Sequence, residues 1–479
     1  MHRSPMARLV AAGSALALAA ILVAVGDAWA HGALRSSVPA AGSHLDRVPH
    51  EIRLTFNENA ERAFTRITLI GADGKTVPTG PVTIPSDSPR VAFATIGAHL
   101  APGIYTVQWQ FAGRDAHPVR GNFKFTIAPG ASVDTSGAAT TAADTASPHH
   151  PPTSIPDSPD PGAFDAGSPL FVVVRWLTLI ATFGIVGAVA FRYAVIGRMS
   201  RAGTAAGLSL LEPALARASA LGIGASILLI LTAVARLLAQ SVAMHGASGM
   251  FDSSAVGSMI TMTLWGKAWM LQVLAAVTAG VGFVAVRRGR FGGWAMVWIA
   301  ALAVALSLAL SGHAPATPGW SGVAVTADTL HVLGAAGWLG SLFFVVFAGI
   351  TSAKGMAPEL RGPAVADLIN SFSPTALVFA GLATLTGVTS ALLHLRHLDA
   401  LWTSDYGRTL LIKLAVLSIV AGTGAYNWLR VRPTLGNDVG TQRIRRSARV
   451  EILVAAIALA VTSVLVATAT PASGMSGMP

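Results

Sequence analysis

Two histidines and an aspartate carry the donor atoms of a small metal centre. His31 follows Ala28-Trp29-Ala30, the small-x-small ending of an apolar N-terminal stretch, and cleavage after Ala30 makes it the first residue of the mature chain. It then offers an α-amine and an imidazole to one ion, once the amine, with a reference pKa of about 8, has lost its proton. Asp115 and His117 stand two apart in GRDAHPVRG, so on a strand they face the same side. An amine, two imidazoles and a carboxylate form an N,O set suited to tetragonal Cu(II). Without His31, Asp115 and His117 read first as ordinary turn residues.

Softer ligands recur further along. His245, with Met244, Met250, Met259 and Met262, lies beyond one apolar run, His313 ends another, and His394 and His397 flank the exit of a third. His331 sits about two turns inside an apolar run, and Asp328, Gly334 and Trp338 share its helical stripe. A histidine inside a membrane span is a functional candidate, and Asp328 could orient it from behind. Singly, the loop histidines read as surface residues and the methionines as packing. Arg175, Lys267 and Lys413 read as snorkelling or paired cations, and His149, His150, Met475 and Met478 as incidental.

The elements that must position these groups follow from composition. The chain has 479 residues, 53% hydrophobic and 11% charged. That balance belongs to a multi-pass membrane protein. Residues 1–30 read as a signal peptide. Residues 31–128 alternate in short runs (EIRLTF, RITLI, VAFATI, GIYTVQWQF, GNFKFTI) between turn clusters, the pattern of a small antiparallel sandwich or barrel. Residues 129–168, rich in Ala, Ser, Thr, Pro and Asp, read as a disordered linker with a reach of roughly 35 Å.

A membrane domain is expected over 169–470, with a short tail at 471–479. Its eight apolar spans run over 169–195, 218–242, 259–285, 293–312, 323–349, 371–394, 407–429 and 449–470. Arginines and lysines crowd the odd loops, from Arg192, Arg198, Arg201 and Arg217 in the first to Arg430, Arg432, Arg443, Arg445, Arg446 and Arg449 in the seventh. The even loops offer Arg396 and Arg408. The odd loops are therefore expected in the cytoplasm, with the β-domain and C-terminus outside. TLWGKAWMLQ and SDYGRTLLIK share [ST]-x-[WY]-G-[KR], with Gln272 opposite Lys413, and Arg175 and Gly184 align with His331 and Gly340. Two halves of four spans with one orientation make a parallel repeat. The absence of cysteine excludes disulfides and thiolate metal sites. The net charge of +11 lies mostly between spans, so membrane topology explains it and nucleic acid is not an expected partner.

HGALRSSVPAAGSHLDRVPHEIRLTFNE, LAPGIYTVQWQ and GRDAHPVRGNFKFTI together resemble the copper-resistance CopC domain over essentially all of 31–128. The resemblance implies a Greek-key β-barrel that binds Cu(II) through His31, Asp115 and His117. Residues 31–128 contain no methionine, which leaves the Met-rich Cu(I) site of some family members without its ligands. TADTLHVLGAAGWLGSL and SDYGRTLLIKL resemble CopD, and the likeness covers most of 169–470. A CopC domain fused to CopD is an arrangement associated with copper import.

The expected protein is thus an all-β Greek-key domain followed by an all-α domain of eight transmembrane helices, serving as a bacterial inner-membrane copper transporter and not an enzyme. Copper is its ligand. Its partners are the lipid bilayer and a periplasmic copper donor or reductase. No P-loop is present, and a Cu(I) ion moving inward gains ~2.3 kcal/mol per 100 mV, so import is the easier direction. Two alternatives stand beside it: a membrane redox protein with haem held by histidines such as His313 and His331, and a copper buffer conferring resistance.

Overall fold

The structure is a computed structural model that describes residues 34–56, 59–60, 62–97, 99–112, 118–133, 169–317, 319–395, 397–431, 438–466 and 468. The expected signal peptide, His31, Asp115, His117, His149, His150, residues 134–168 of the linker and the tail at 471–479 lie outside the described residues. The chain forms two compact units. One joins the N-terminal β-domain to the segment Ser241–Gly266, and the other holds the remaining helical spans.

The β-domain is a sandwich of two sheets. Strands β1 (Leu34–Val38), β3 (Glu51–Phe56) and β6 (Val91–Thr95) form one, in the order β1-β3-β6. Strands β2 (His44–Val48), β4 (Arg66–Ile70), β5 (Thr76–Val77), β7 (Gly103–Ala112) and β8 (Pro118–Val133) form the other, in the order β2-β8-β7-β4-β5. Alternation decides which face is buried: Ile52, Leu54 and Phe56 of β3 point inward, as do Ile67 and Leu69 of β4 and Val107 and Phe111 of β7. Phe56 stacks on Phe111 with ring centroids 4.1 Å apart. Trp109 pairs with Gly121 across β7 and β8, and a Cβ at Gly121 would run into the indole.

Two expectations change. The sandwich is not wholly antiparallel, because β2 pairs with β8 in parallel. The chain changes sheet between β1 and β2, so β2 arrives beside β8 running the same way. Residues 129–133, expected in the linker, continue β8.

Among the described residues, eight helices are long and apolar enough to cross a membrane. They are α1 (Pro169–Ala202), α2 (Ala205–Gly249), α4 (Leu264–Arg287), α5 (Gly293–Leu310), α6 (Ser321–Ala353), α7 (Pro358–Leu395), α9 (Asp405–Tyr426) and α10 (Asp438–Leu465). Short helices α3 (Ser253–Met262) and α8 (Ala400–Thr403) precede α4 and α9. Several helices outrun the expected spans: α2 begins thirteen residues before 218 and α7 thirteen before 371. Hydropathy marks only the part that crosses hydrocarbon, whereas backbone hydrogen bonding continues the helix through polar flanks. The third span starts later than expected, at Leu264, because the backbone of Thr263 is extended.

α1 and α6 cross at Gly187 and Gly340, where a Cβ on either residue would collide with the other's backbone. Glycine there lets the two helices approach backbone to backbone. Just past the crossing each helix widens into π-helical turns, Phe191–Ile196 in α1 and Val345–Ile350 in α6.

Candidate functional site

Several polar side chains of the helical unit meet around the start of α6 and the end of α7. His313 lies on the turn after α5, and its ring faces that of His394 near the end of α7, with centroids 6.4 Å apart and planes at 67°. The Nε2 atoms of both rings are buried. Nδ1 of His394 donates to the carbonyl of Ser390 at 2.6 Å. A carbonyl only accepts, so Nδ1 carries a proton. Ser390 Oγ in turn donates to Asp328 Oδ1 at 2.6 Å, linking α7 to α6. Two imidazoles that clasp one ion in line, with bonds of about 2 Å, have centroids about 6 Å apart.

His331 is half-buried on α6 and donates from Nδ1 to the carbonyl of Ala383 on α7 at 2.9 Å. Gly387 leaves room for the ring, since a Cβ there would lie 2.9 Å from Cε1 of His331. The backbone therefore orients His331, and the expectation that Asp328 does so is corrected: Asp328 takes its hydrogen bond from Ser390 instead. Successive stripe positions on a helix diverge across a packed interface, and here the two side chains meet different residues of α7. Tyr406, buried at the start of α9, has its ring 6.3 Å from that of His394.

The other candidates do not converge there. His397 is half-buried on the connection between α7 and α8. The side chain of His245 lies outside the described residues. Met259 is fully buried and Met262 is 72% exposed, so these two thioethers do not face one ion. Met244 is buried for another reason. Gln110 of β7 donates to its carbonyl at 3.3 Å and to its sulfur at 3.7 Å, and Arg120 of β8 donates to the carbonyl of Ala243 at 2.8 Å. The β7–β8 hairpin is thus fastened to the end of α2 within one unit. Of the expected haem pair, His313 has the ring of His394 with its centroid 6.4 Å away. Among the described residues, no three His, Asp or Glu side chains gather to hold a metal ion.

Ser390, Tyr406, Gln110 and Arg120 were not singled out from the sequence. Ser390 and His394 had a readable signal, a hydroxyl and an imidazole four residues apart on one helix face. Gln110 and Arg120 had none, since solvent-facing polar residues are normal on a sheet.

Comparison with known proteins places this arrangement. Residues 34–128 match the CopC domain, 165–323 the copper resistance protein D-like N-terminal domain, and 366–465 copper resistance protein D. Copper transport protein CutJ of Bacillus subtilis (strain 168) is 23% identical over 411 residues, 84% of this chain and 69% of CutJ. Copper resistance protein C of Escherichia coli is 33% identical over 107 residues, 21% of this chain and 84% of that protein. The crystal structure of CopC from Methylosinus trichosporium OB3b is 29% identical, with a TM-score of 0.20, covering 21% of this chain and 95% of that one. With a CopC domain followed by both CopD segments in one polypeptide, the chain belongs to the CopC–CopD family of copper transport and resistance proteins.

Proposed function

We propose that the protein carries copper inward across a bacterial inner membrane and performs no turnover chemistry on it. The observation that carries this reading is the His313–His394 pair, two rings 6.4 Å apart with the His394 proton fixed on Nδ1. That geometry suits a two-coordinate Cu(I) ion on its way to His331. The β-domain lies outside and captures Cu(II) through His31, Asp115 and His117. The hydrogen bonds of Gln110 and Arg120 hold the hairpin that bears the last two at the end of α2. A reductant outside the chain supplies the electron that converts Cu(II) to Cu(I). Soft ligands and imidazoles then carry the reduced ion.

Copper flux into proteoliposomes, with and without a reductant, tests the reading. Flux is expected only with the reductant and only in protein that retains His394. Absence of flux under both conditions would return the protein to the copper-buffer alternative. The same pair of rings also suits axial ligation of haem. A Soret band in the purified protein would establish that second reading. The external site has its own test: one extra glycine before His31 is expected to weaken Cu(II) binding to the full-length protein severely. Equal affinities with and without it would exclude ligation by the amine.

A further inference from the structure

At the arginine-rich end of the helical unit, α1 packs against α5. A groove of about 250 Å³ opens there, lined by Tyr193 of α1 and by Ala295 and Trp298 of α5. Tyr193 is 45% exposed and Trp298 48%, so both rings present a face to the surroundings. Tyr193 lies in the π-helical turn Phe191–Ile196, and so does Arg192. Such turns often mark functional positions. The guanidinium carbon of Arg192 is 5.4 Å from the centroid of the Tyr193 ring, which places a cation beside the α1 wall of the groove. The Nε atom of Arg192 is buried without a hydrogen-bond partner. A guanidinium stays charged in a protein, and a buried N–H left unpaired is costly.

The turn that leads into α5 adds charge. α4 and α5 approach backbone to backbone, since a Cβ at Gly293 would lie 2.8 Å from the carbonyl oxygen of Gly282. Gly289 (φ 65°) and Gly292 (φ 87°) permit the reversal. The N–H of Arg290 donates to the carbonyl of Ala285 at 2.9 Å. Arg287, Arg288, Arg290 and Phe291 are thereby held exposed, four to eight residues before Ala295. No aspartate or glutamate occurs in α1, α4, α5 or this turn. The acids of the other helices packed on α1 do not neutralise Arg192. Asp328 accepts from Ser390, Asp367 from Thr204 and Glu451 from Asn427. Glu212 and Glu359 are exposed, and the side chain of Asp438 lies outside the described residues. No described carboxylate pairs with Arg192.

A ligand that fits this place brings a negative charge, hydrogen-bond acceptors and an apolar chain. We propose that the Tyr193–Trp298 groove binds one anionic phospholipid of the leaflet at the arginine-rich end. Its phosphate meets Arg192, whose planar guanidinium matches phosphate oxygens. Its acyl chain lies between Tyr193 and Trp298, residue types suited to the depth where headgroup meets chain. The exposed arginines of the turn draw anionic lipid to this end, and Phe291 anchors the turn in the interface. A zwitterionic lipid offers the same phosphate but adds a cation that these arginines repel. The bound lipid bridges α1 and α5, and the site does not depend on the copper-transport reading.

The test uses the full-length protein in nanodiscs of phosphatidylcholine, at constant ionic strength. Phosphatidylglycerol with brominated acyl chains is titrated in, because bromine quenches an indole that it touches. The emission of the unaltered protein minus that of Trp298→Phe isolates Trp298. Its quenching by brominated phosphatidylglycerol is expected at a mole fraction about tenfold lower than by brominated phosphatidylcholine. Equal mole fractions would overturn the site. Arg192→Gln is expected to raise the mole fraction needed by about fivefold, the share of one arginine. If Arg192→Gln changes nothing while replacing Arg287, Arg288 and Arg290 by Gln removes the preference, diffuse charge holds the lipid and the site is overturned. Dissolved inorganic phosphate has no chain for the groove and is expected to leave the quenching intact. Relief of quenching by phosphate would assign Arg192 to a free anion and overturn the lipid. Native mass spectrometry of the unaltered protein in detergent decides the matter even if the variants do not fold. Retention of one phosphatidylglycerol in preference to phosphatidylcholine is expected, and no preference overturns the proposal.

Discussion

The first four spans and the last four share a frame and differ in what the frame holds. Thr263 opens α4 with φ −102° and ψ 154°, and Ser404 opens α9 with φ −98° and ψ 151°. Each hydroxyl accepts from the amide three residues on, Gly266 at 2.9 Å and Gly407 at 3.0 Å. Each donates four residues back, to Met259 at 2.6 Å and Ala400 at 2.5 Å. A buried aromatic, Trp265 or Tyr406, stands in the same place. Two corners built from the same hydrogen bonds support the internal repeat read from TLWGKAW and SDYGRTL.

The contents then diverge. In the first half, buried Arg236 donates to Gln272 at 2.8 Å and to Ser311 at 3.4 Å. A guanidinium has no lone pair and stays charged, so it cannot ligate copper. In the second half, Ser390 bridges two side chains: its hydroxyl donates to Asp328 and its carbonyl accepts from His394. The two sets touch at one turn, where Ser311 serves Arg236 and His313, two residues on, faces His394. One half of the frame buries a guanidinium, and the other carries the Asp328–Ser390–His394 chain.

The sharpest way to break that comparison is to remove a group from each half. His394→Ala is predicted to lower copper flux per folded molecule by about 10- to 100-fold, the usual penalty for disturbing a metal site. Ser311→Ala, which trims the arginine set, is predicted to change flux by less than about twofold. It loses the half-buried bond from Arg236 and the hydroxyl's local bond to the carbonyl of Ser307, each worth about 1 kcal/mol. Normal flux in His394→Ala, or a larger loss in Ser311→Ala, would assign the ligands to the wrong half.

The equivalence of the frames can be tested by stability. A Cβ at Gly266 would meet the carbonyls of Met259 and Ile260, and one at Gly407 the carbonyls of Ala400 and Leu401. Gly266→Ala and Gly407→Ala are each predicted to cost about 1–3 kcal/mol, read as similar drops in thermal midpoint in detergent. A harmless change at one corner and a damaging one at the other would dissolve the equivalence.

Smaller effects are expected in the β-domain. Arg120→Ala removes the bond to Ala243 and is predicted to loosen the end of α2 by about 1 kcal/mol. Faster amide exchange at 241–266 is the readout, and unchanged exchange would separate the hairpin from that segment. Tyr105 donates to Ala101 at 2.8 Å, and burial pushes its phenol above the ordinary value. The folded state therefore holds that proton more tightly than the unfolded state. Stability from this group is present below about pH 10 and is lost as pH rises beyond it. Tyr105→Phe is predicted to cost about 1 kcal/mol at neutral pH and to flatten the alkaline loss. An identical slope of Tm against pH in both proteins would remove Tyr105 from the account.

The sequence by itself determined the periodic part of this protein. Alternation in EIRLTF and GIYTVQWQF specified a strand's inner face, and runs of apolar residues specified eight spans, because burial is periodic along a strand and continuous along a membrane helix. The repeat was legible because its corners rest on local bonds of three and four residues. Only the tertiary structure decided the partners. That His313 faces His394, that Asp328 accepts a hydrogen bond from Ser390 while His331 reaches a backbone carbonyl, and that Glu451 meets Asn427 all depend on which helices pack side by side. Apolar helix faces resemble one another, so hydropathy does not encode that choice. It is made by small residues such as Gly187 and Gly340, whose missing side chains matter only once a particular neighbour arrives.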